Sequence, residues 1–389
     1  MKTRTGPLVI VGAGQAAAAL ARALREQGFS GDIRMLGEEL EPPYERPPLS
    51  KQVLLEGRAP DALWLLDDDA RLAQGVTLST STRVRQIDRA AREVLTDAGE
   101  AIPYETLVLA TGGVARRLPG LAVDGRRVFE LRTLSDALAL HTALRGACRV
   151  LVIGGGWLGL EVAAAVRQQG CEVTLAEAAS RLCARSAPPE LSEYLLALHR
   201  DHGVDVRLGA CALPALGEDG LTLAPDAQPY DLAVVAIGLA ARDELAAAAG
   251  LATADGVLTD CSGATADPDI FAIGDVARLC ASSDGAGLRL ESWRHAETQA
   301  RLAAAAIVGQ PLGYDEPAWF WSDQFGRLIQ IAGLPTPDLE LIEAEAGEKP
   351  LWRYGRGGEV ETVIGVDRAR DVRLAHRTLP SLASRIAGL

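Results

Sequence analysis

The chain of 389 residues lacks the features that would place it among membrane, secreted or nucleic-acid-binding proteins. No apolar run is long enough to cross a bilayer, because glycine or a charged residue interrupts each one. The first predicted strand begins at Leu8, which leaves no space for a signal peptide and predicts a cytoplasmic protein. The net charge of −13 argues against nucleic acid and anionic membranes as partners.

Cysteine pairs with a chemically meaningful spacing are also absent. None of the six cysteines forms a CxxC motif, and none has the spacing of metal ligands. This pattern argues against a redox-active disulfide and against a metal centre. We predict buried free thiols instead, at Cys148, Cys171, Cys183, Cys211, Cys261 and Cys280.

The most informative stretch that is present covers residues 151–177, LVIGGGWLGLEVAAAVRQQGCEVTLAE, and predicts a strand, a tight turn, a helix and a second strand. Gly154, Gly156 and Gly159 have the GxGxxG spacing that serves the turn, the approach of a pyrophosphate and helix packing. Glu177 ends the second strand, where a carboxylate binds the ribose hydroxyls of NAD and repels the 2′-phosphate of NADP. A lone glycine motif could be only a turn, but here all four elements agree.

A second copy of this pattern begins at the N-terminus. Gly12, Gly14 and Ala16 follow the strand Leu8–Val11, and Glu38 follows the next predicted strand. Glu38 is either a ribose-binding acid or a surface acid, and its position favours the first. Two such folds in one chain suggest two dinucleotides, and the ordinary reason to hold two is to pass electrons between them.

A proline-rich loop, PYERPPLSK, lies between these two copies. Its prolines stiffen the backbone, and Ser50 can cap a following helix. Lys51 is one of only three lysines among the 39 basic residues of the chain, so we expect it to have a chemical role. Such a loop could hold an ammonium group near a redox ring, although a plain linker is the alternative.

These patterns predict an α/β protein with two Rossmann-like dinucleotide-binding domains and a C-terminal α+β domain. We expect one cofactor domain at 1–115 and 235–311, the other at 116–234 and the last at 312–389. Gly238 ends the strand on which the chain returns to the first domain, and Asp275 follows a later strand, where an acid can bind the sugar chain of a flavin. Alternating strands followed by one helix, Arg370–Ala387, are predicted for the last domain.

The order of motifs GAGQAA, ERPPLSK, LATG, LRTLSDA, GGGWLGLE, FAIGDVAR, RLESWRHA and WFWSDQ resembles the NADH-dependent ferredoxin reductases of Rieske oxygenase systems. The resemblance covers nearly the whole chain, and RPPLSK, ESW and WFWSDQ are its most specific parts. It implies a glutathione-reductase-like architecture, FAD and NADH as cofactors, and a [2Fe–2S] ferredoxin as partner. It also implies, indirectly, a Rieske-type oxygenase of aromatic hydrocarbon catabolism.

The resemblance further implies which residues contact FAD, with Lys51 near the flavin N5 atom. Val84 would touch the adenine, Arg132 and Asp275 would hold the phosphate and ribityl regions, and Trp293 would lie at the pyrimidine end. A helix beginning near Ser292 would direct its positive end there. The remaining residues implied to hold FAD belong to the first glycine motif and its acid: Gly12, Gly14, Ala16 and Glu38.

For NADH, the resemblance implies Gly154, Gly156, Gly159 and Glu177, with Glu161 near the nicotinamide carboxamide. It places Trp319 and Trp321 beside the flavin ring, where the ferredoxin docks. We therefore predict three catalytic residues: Lys51, Glu161 and Trp321.

An acidic ferredoxin would need a basic surface on this chain. The candidates are all C-terminal arginines, which could instead be solvated or paired internally: Arg327, Arg353, Arg356, Arg368, Arg370 and Arg373. The open alternatives for function are a reductase of rubredoxin, quinone or oxygen, and a non-enzymatic FAD- and NAD-binding interaction protein. A peroxide- or oxygen-reducing enzyme would want a reactive cysteine in 41–51, where none stands.

Overall fold

Two parallel sheets and one antiparallel sheet organise the chain. The computed structural model describes residues 4–59, 63–210, 215–217, 220–223, 229–280 and 287–386. Within that part of the chain, no helix is long and apolar enough to span a bilayer.

The first parallel sheet has five strands with a buried central strand. In spatial order these are Ile270–Ala272, Thr106–Leu109, Leu8–Val11, Ile33–Leu36 and Val76–Ser79. Two helices, Gln15–Glu26 and Trp293–Ile307, pack against each other on one face of this sheet. Alanine dominates both contacting faces, so the two backbones approach closely.

The second parallel sheet repeats this arrangement. Its strands are Asp205–Leu208, Glu172–Glu177, Arg149–Ile153, Leu232–Val235 and Val128–Phe129. Three helices accompany it, namely Leu134–Leu144, Trp157–Gln168 and Pro189–Asp201. The first of these begins with a capping box, because Thr133 accepts from the Asp136 backbone while the Asp136 side chain accepts from the Thr133 backbone.

The C-terminal sheet is antiparallel, and WFWSDQ forms one of its edges. In spatial order its strands are Trp319–Gln324, Arg327–Ala332, Glu359–Val366, Leu351–Arg356 and Glu340–Glu345. The prediction of a single last helix is wrong: helices cover Ala369–His376 and Leu382–Ile386, with Pro380 between them. Proline lacks the backbone N–H that a continuous helix requires, and Ala387 lies outside the described residues.

Short elements connect the three sheets. The ribbon of Gly113–Ala115 and Leu239–Ala241 lies where the chain passes between the two parallel sheets, close to the domain limits predicted at 115 and 235. The other short strands are Val84–Asp88, Glu93–Thr96, Ala101–Pro103, Ala215–Gly217, Gly220–Thr222, Val257–Thr259, Ala277–Cys280 and Gly287–Leu288. The short helices are Pro47–Ser50, Gln52–Glu56, Asp68–Ala73, Glu244–Ala248 and Gly274–Val276. The predicted class of two Rossmann-like folds with a C-terminal α+β part is confirmed.

Candidate functional site

The first glycine of each motif occupies the same strained position. Gly12 has φ +108° and Gly154 has φ +110°, a region that L-residues rarely adopt. A Cβ atom on Gly12 would lie 2.2 Å from the Ala110 carbonyl oxygen, and one on Gly154 would lie 2.4 Å from that of Ala236. Both turns therefore require glycine, because the chain passes against the end of a neighbouring strand.

The second glycine of each motif faces open space. No protein atom lies within 4 Å of a Cβ built on Gly14 or on Gly156. Each is the residue before a 12-residue helix, and neither helix start is capped by a side chain. The backbone N–H groups at both helix starts are thus available to a phosphate.

The third position of each motif serves packing. A Cβ on Gly159 would lie 1.9 Å from the Gly154 carbonyl oxygen, so only glycine allows the helix to approach the strand. In the first motif Ala17, which is 0% exposed, holds this position. Ala16, the residue before it, has its Cβ 2.9 Å from where a Cβ on Gly274 would stand.

One cavity of about 1470 Å³ extends from the first glycine turn to the second. Of the residues predicted to bind a cofactor or to be catalytic, Gly159 does not line this cavity, because it lies behind the turn. The others all line it: Gly12, Gly14, Ala16, Glu38, Lys51, Val84, Arg132, Gly154, Gly156, Glu161, Glu177, Gly238, Asp275, Trp293 and Trp321.

Glu177, the acid at the end of the strand Glu172–Glu177 in the second fold, is held by backbone groups. Glu177 accepts hydrogen bonds from the N–H of Gly155 at 2.5 Å and of Ala179 at 2.7 Å, which fixes its carboxylate at the edge of the cavity. Arg181 donates to two backbone carbonyls and, at 3.0 Å, to Ser192 Oγ. That arginine is therefore engaged within the fold rather than directed at a 2′-phosphate.

Partly buried and exposed charges lie on the first fold's side of the cavity. Arg132 Nη2 lies 3.2 Å from Asp275 Oδ2, and Arg46 donates to the Arg132 carbonyl at 2.5 Å while pairing with Glu39 at 2.6 Å. Burial, and then the neighbouring Arg46, lower the pKa of Arg132. Glu38 lies 2.6 Å from Arg242, a cavity-lining residue that sequence reasoning missed.

An ion pair lies between the two folds. Lys51 Nζ is 2.7 Å from Glu161 Oε2, with side chains only 21% and 11% exposed. The prediction that Ser50 caps a helix is wrong, because the helix Gln52–Glu56 starts without a side-chain cap. The Ser50 hydroxyl instead donates to Glu161 Oε2 at 2.5 Å, and Ser322 donates to Glu161 Oε1 at 2.6 Å. The carboxylate of Glu161 thus receives donors on both oxygens.

Aromatic rings close one side of the cavity. Trp321 meets Trp293 edge to face at 5.7 Å, and the Trp293 side chain also hydrogen-bonds to Glu45. Phe320, which sequence reasoning missed as a site residue, lies 4.8 Å from Trp157. The expectation for Trp319 is wrong: it packs against helix Ala369–His376 and does not line the cavity.

The structure also corrects the cysteine prediction. Cys171 and Cys183 are buried, Cys148 is exposed, and Cys211 lies outside the described residues. Among the cysteines that the structure describes, Cys183 lines the cavity. Burial, and then the neighbouring Glu177, raise the pKa of its thiol. A thiol of that kind is a poor nucleophile at neutral pH. No group of three metal-ligating side chains is found among the residues described.

Most of the arginines proposed for docking are paired within the C-terminal part. The prediction of a basic patch is wrong for four of the six, whose charges are opposed by nearby carboxylates: Arg327, Arg353, Arg356 and Arg368. Arg373 donates to a backbone carbonyl one helical turn earlier, and Arg370 is exposed.

The two glycine turns open on one cavity with a charged pair beside it, the arrangement expected of an oxidoreductase that uses two dinucleotides. The chain belongs to the pyridine nucleotide-disulphide oxidoreductase family, whose model matches residues 6–300. A second model, the reductase C-terminal domain, matches residues 319–385.

The similar proteins agree with this assignment. The chain is 38% identical over 380 residues to the anthranilate 1,2-dioxygenase system ferredoxin–NAD(+) reductase component of Burkholderia cepacia, with 96% of this chain and 94% of that protein covered. A ferredoxin reductase for the CYP199A2 system from Rhodopseudomonas palustris is 36% identical with a TM-score of 0.87, over 94% and 92% of the two chains. The covalent putidaredoxin reductase–putidaredoxin complex contains a chain that is 34% identical to this one, with a TM-score of 0.90. The match covers 97% of this chain and 93% of that chain. The predicted resemblance to ferredoxin reductases of oxygenase systems is confirmed.

Proposed function

We propose that this protein is an NADH:ferredoxin oxidoreductase that holds FAD in its first fold and NADH in its second. Its acceptor is a [2Fe–2S] ferredoxin serving a Rieske-type oxygenase of aromatic hydrocarbon catabolism, in the cytoplasm where NADH is supplied. The observation that carries the proposal is the single cavity that reaches both glycine turns beside the Lys51–Glu161 pair. The names of the anthranilate dioxygenase and putidaredoxin relatives support the choice of acceptor.

The residues around the first turn fit FAD. The open face of Gly14 and the uncapped helix start suit its pyrophosphate, and the Arg132–Asp275 pair offers a donor and an acceptor farther along the cavity. We assign the adenosine ribose to Glu38 and the adenine to Val84, because both residues line the cavity. FAD, when bound, supplies the redox chemistry, because it accepts two electrons as a hydride and releases them one at a time.

The residues around the second turn fit NADH in the same way. Gly156 leaves space for the pyrophosphate, and Glu177 is already oriented to accept from ribose hydroxyls. Glu161 and Gly238 line the cavity between the two turns. We assign the first fold to 1–115 and 235–311, the second to 116–234 and the C-terminal domain to 312–389.

Three side chains act where the two cofactors would meet. Lys51 places a positive charge that stabilises negative charge developing on the ring. Glu161 keeps that ammonium in place and offers an acceptor for the nicotinamide carboxamide. Trp321 limits the access of water on the side of the C-terminal sheet. The helix Trp293–Ile307 starts at the cavity, capped by Ser292, and directs its positive end toward it.

A comparison of acceptors tests this function. We expect the purified protein to be yellow and to release FAD on denaturation. With NADH it should reduce a [2Fe–2S] ferredoxin faster than a rubredoxin, a soluble quinone or oxygen. Preference for another acceptor would replace the ferredoxin assignment, and the absence of turnover with every acceptor would favour the non-enzymatic alternative.

Substitution of Glu177 should change the choice of nicotinamide cofactor. In Glu177→Arg, the ribose acceptor is lost and a charge able to pair with a 2′-phosphate is gained, so the ratio of kcat/KM for NADH over NADPH should fall at least about tenfold. The control is Glu172→Arg, the same change at the other end of the same strand, where the side chain is 79% exposed. Steady-state kinetics with both cofactors check this, and an unchanged ratio in Glu177→Arg would remove Glu177 from the site.

A further inference from the structure

A row of buried polar side chains leads from Glu161 away from the cavity. Ser322 Oγ lies 2.6 Å from Glu161 Oε1, and Gln324 Nε2 lies 3.0 Å from Ser322 Oγ. Gln324 Oε1 in turn lies 2.9 Å from Nε2 of His199. The row therefore joins the helix Trp157–Gln168 to the edge strand of the C-terminal sheet and to the helix Pro189–Asp201.

The direction of every hydrogen bond in this row is fixed by the first acceptor. Glu161 Oε1 accepts from the Ser322 hydroxyl. The Ser322 oxygen then accepts from the amide NH₂ of Gln324, which turns the Gln324 carbonyl toward His199. Nε2 of His199 must therefore carry the proton, and all three donors point toward Glu161.

The surroundings of the row keep it dry and in one arrangement. His199 and Ser322 are 0% exposed, and Gln324 is 1% exposed. Burial lowers the pKa of His199 to about 4, so the ring is neutral at neutral pH. Its Nδ1 has no hydrogen-bond partner among the described residues, as expected for the Nε2–H tautomer beside an apolar neighbour.

The turn after Gln324 holds the His199 ring from the other side. Phe325 has φ +51° and Gly326 has φ +74°, so a bulky residue adopts the left-handed conformation in a two-residue hairpin. The Phe325 ring stacks on His202 at 4.0 Å and meets His199 edge to face at 5.1 Å. This strained turn packs His199 against the amide of Gln324.

We propose that Ser322, Gln324 and His199 are positioning residues that orient the Glu161 carboxylate for its contact with Lys51. The inference rests on the proposed function, because its consequence is the rate at which NADH reduces the flavin beside this pair. It assigns to the WFWSDQ strand a role beyond its aromatic rings. In an interior of low dielectric, a complete row of this kind polarises its last acceptor.

Other titratable groups face this row and must be separated from it. Lys51, Asp323 and Cys183 lie around Glu161, and His202 lies beside His199. Burial raises the pKa of Asp323, with Lys51 opposing that shift. Asp323 interacts with both Lys51 and Glu161, so its charge is left unchanged in every variant tested.

The first test measures flavin reduction by NADH in FAD-loaded protein, by stopped flow at neutral pH. In Ser322→Ala, Glu161 Oε1 loses the hydroxyl that holds the carboxylate in one orientation, so the rate should fall by about tenfold. Gln324→Glu should act in the same direction while Ser322 is retained, because a second carboxylate draws the Ser322 hydroxyl away from Glu161.

A control variant limits the interpretation. Thr362→Val removes a fully buried hydroxyl from the same sheet, and that hydroxyl has no partner among the described residues. Thr362→Val should leave the rate of flavin reduction unchanged. The inference is overturned if Ser322→Ala keeps the wild-type rate, or if Thr362→Val lowers it equally.

A second measurement does not depend on turnover. The chain has five histidines, so ¹⁵N-histidine labelling gives a small set of ring signals. We expect His199 to be a neutral Nε2–H tautomer in the wild type, and its Nε2 signal to shift in Gln324→Leu. A charged His199 ring or an Nδ1–H tautomer at neutral pH would contradict the proposed direction of the hydrogen bonds in the row. If the tautomer is as expected but wild-type flavin is not reduced by NADH, the proposed function fails while the row stands.

Discussion

Gly156→Val should leave the chain folded and loaded with FAD but raise KM for NADH by about 100-fold, equivalent to about 2.7 kcal/mol of binding. Gly156 has a negative φ, and a Cβ there meets no protein atom within 4 Å, so valine fits the apo structure. The side chain would instead fill the space where a pyrophosphate approaches the helix start. NADH titration and steady-state kinetics on the yellow protein measure the effect.

The matched control for this variant is the same change in the other fold. Gly14 also has a negative φ and open space at its Cβ, so Gly14→Val should fold equally well. It should purify with little FAD while still binding NAD⁺ in calorimetry. If both variants lost FAD and neither lost NADH, the assignment of the two turns to two different cofactors would be wrong.

Lys51→Met should slow flavin reduction by NADH by about 100-fold, the effect typical of removing one preorganised charge. The methionine keeps the length of the side chain but removes the ammonium that lies 2.7 Å from Glu161. It also leaves the Glu161 carboxylate without its counter-charge, which destabilises the fold. Stopped-flow absorbance of the flavin measures the rate, and thermal unfolding measures the stability.

Two further variants separate these effects. Lys51→Met combined with Glu161→Gln removes both charges, so it should recover stability without recovering the rate. Lys349→Met changes an exposed lysine in the C-terminal part and should alter neither quantity. If Lys51→Met kept the wild-type rate of flavin reduction, the role of Lys51 would be structural only.

The sequence was sufficient to predict local structure wherever a residue's neighbours in the chain decide its conformation. The spacing of Gly12 and Gly154 after short apolar strands located both turns, because only glycine tolerates a positive φ against a strand end. Thr133 caps the helix Leu134–Leu144 for the same kind of local reason. Pro380 carried a local signal too, and the single helix predicted across it ignored that signal.

Contacts between segments that are distant in the chain could not be predicted from the sequence in this way. Ser50 had a local role available as a cap, but a carboxylate 111 residues away engages its hydroxyl. Trp319 and Trp321 stand in one motif, yet only Trp321 lines the cavity, because the strand carries the other toward the C-terminal helices. The arginines of the expected basic patch meet carboxylates that no spacing rule connects to them.

The sequence by itself determined that two phosphate-binding folds are present, which acid ends each one and which lysine stands out, since these depend on φ angles, strand periodicity and composition. Only the tertiary structure decided that both turns open on one cavity and that Glu161 receives Ser50, Lys51 and Ser322 together. The physical reason is that hydrogen bonds and ion pairs act over about 3 Å, a distance that only packing can establish between residues so far apart in the chain.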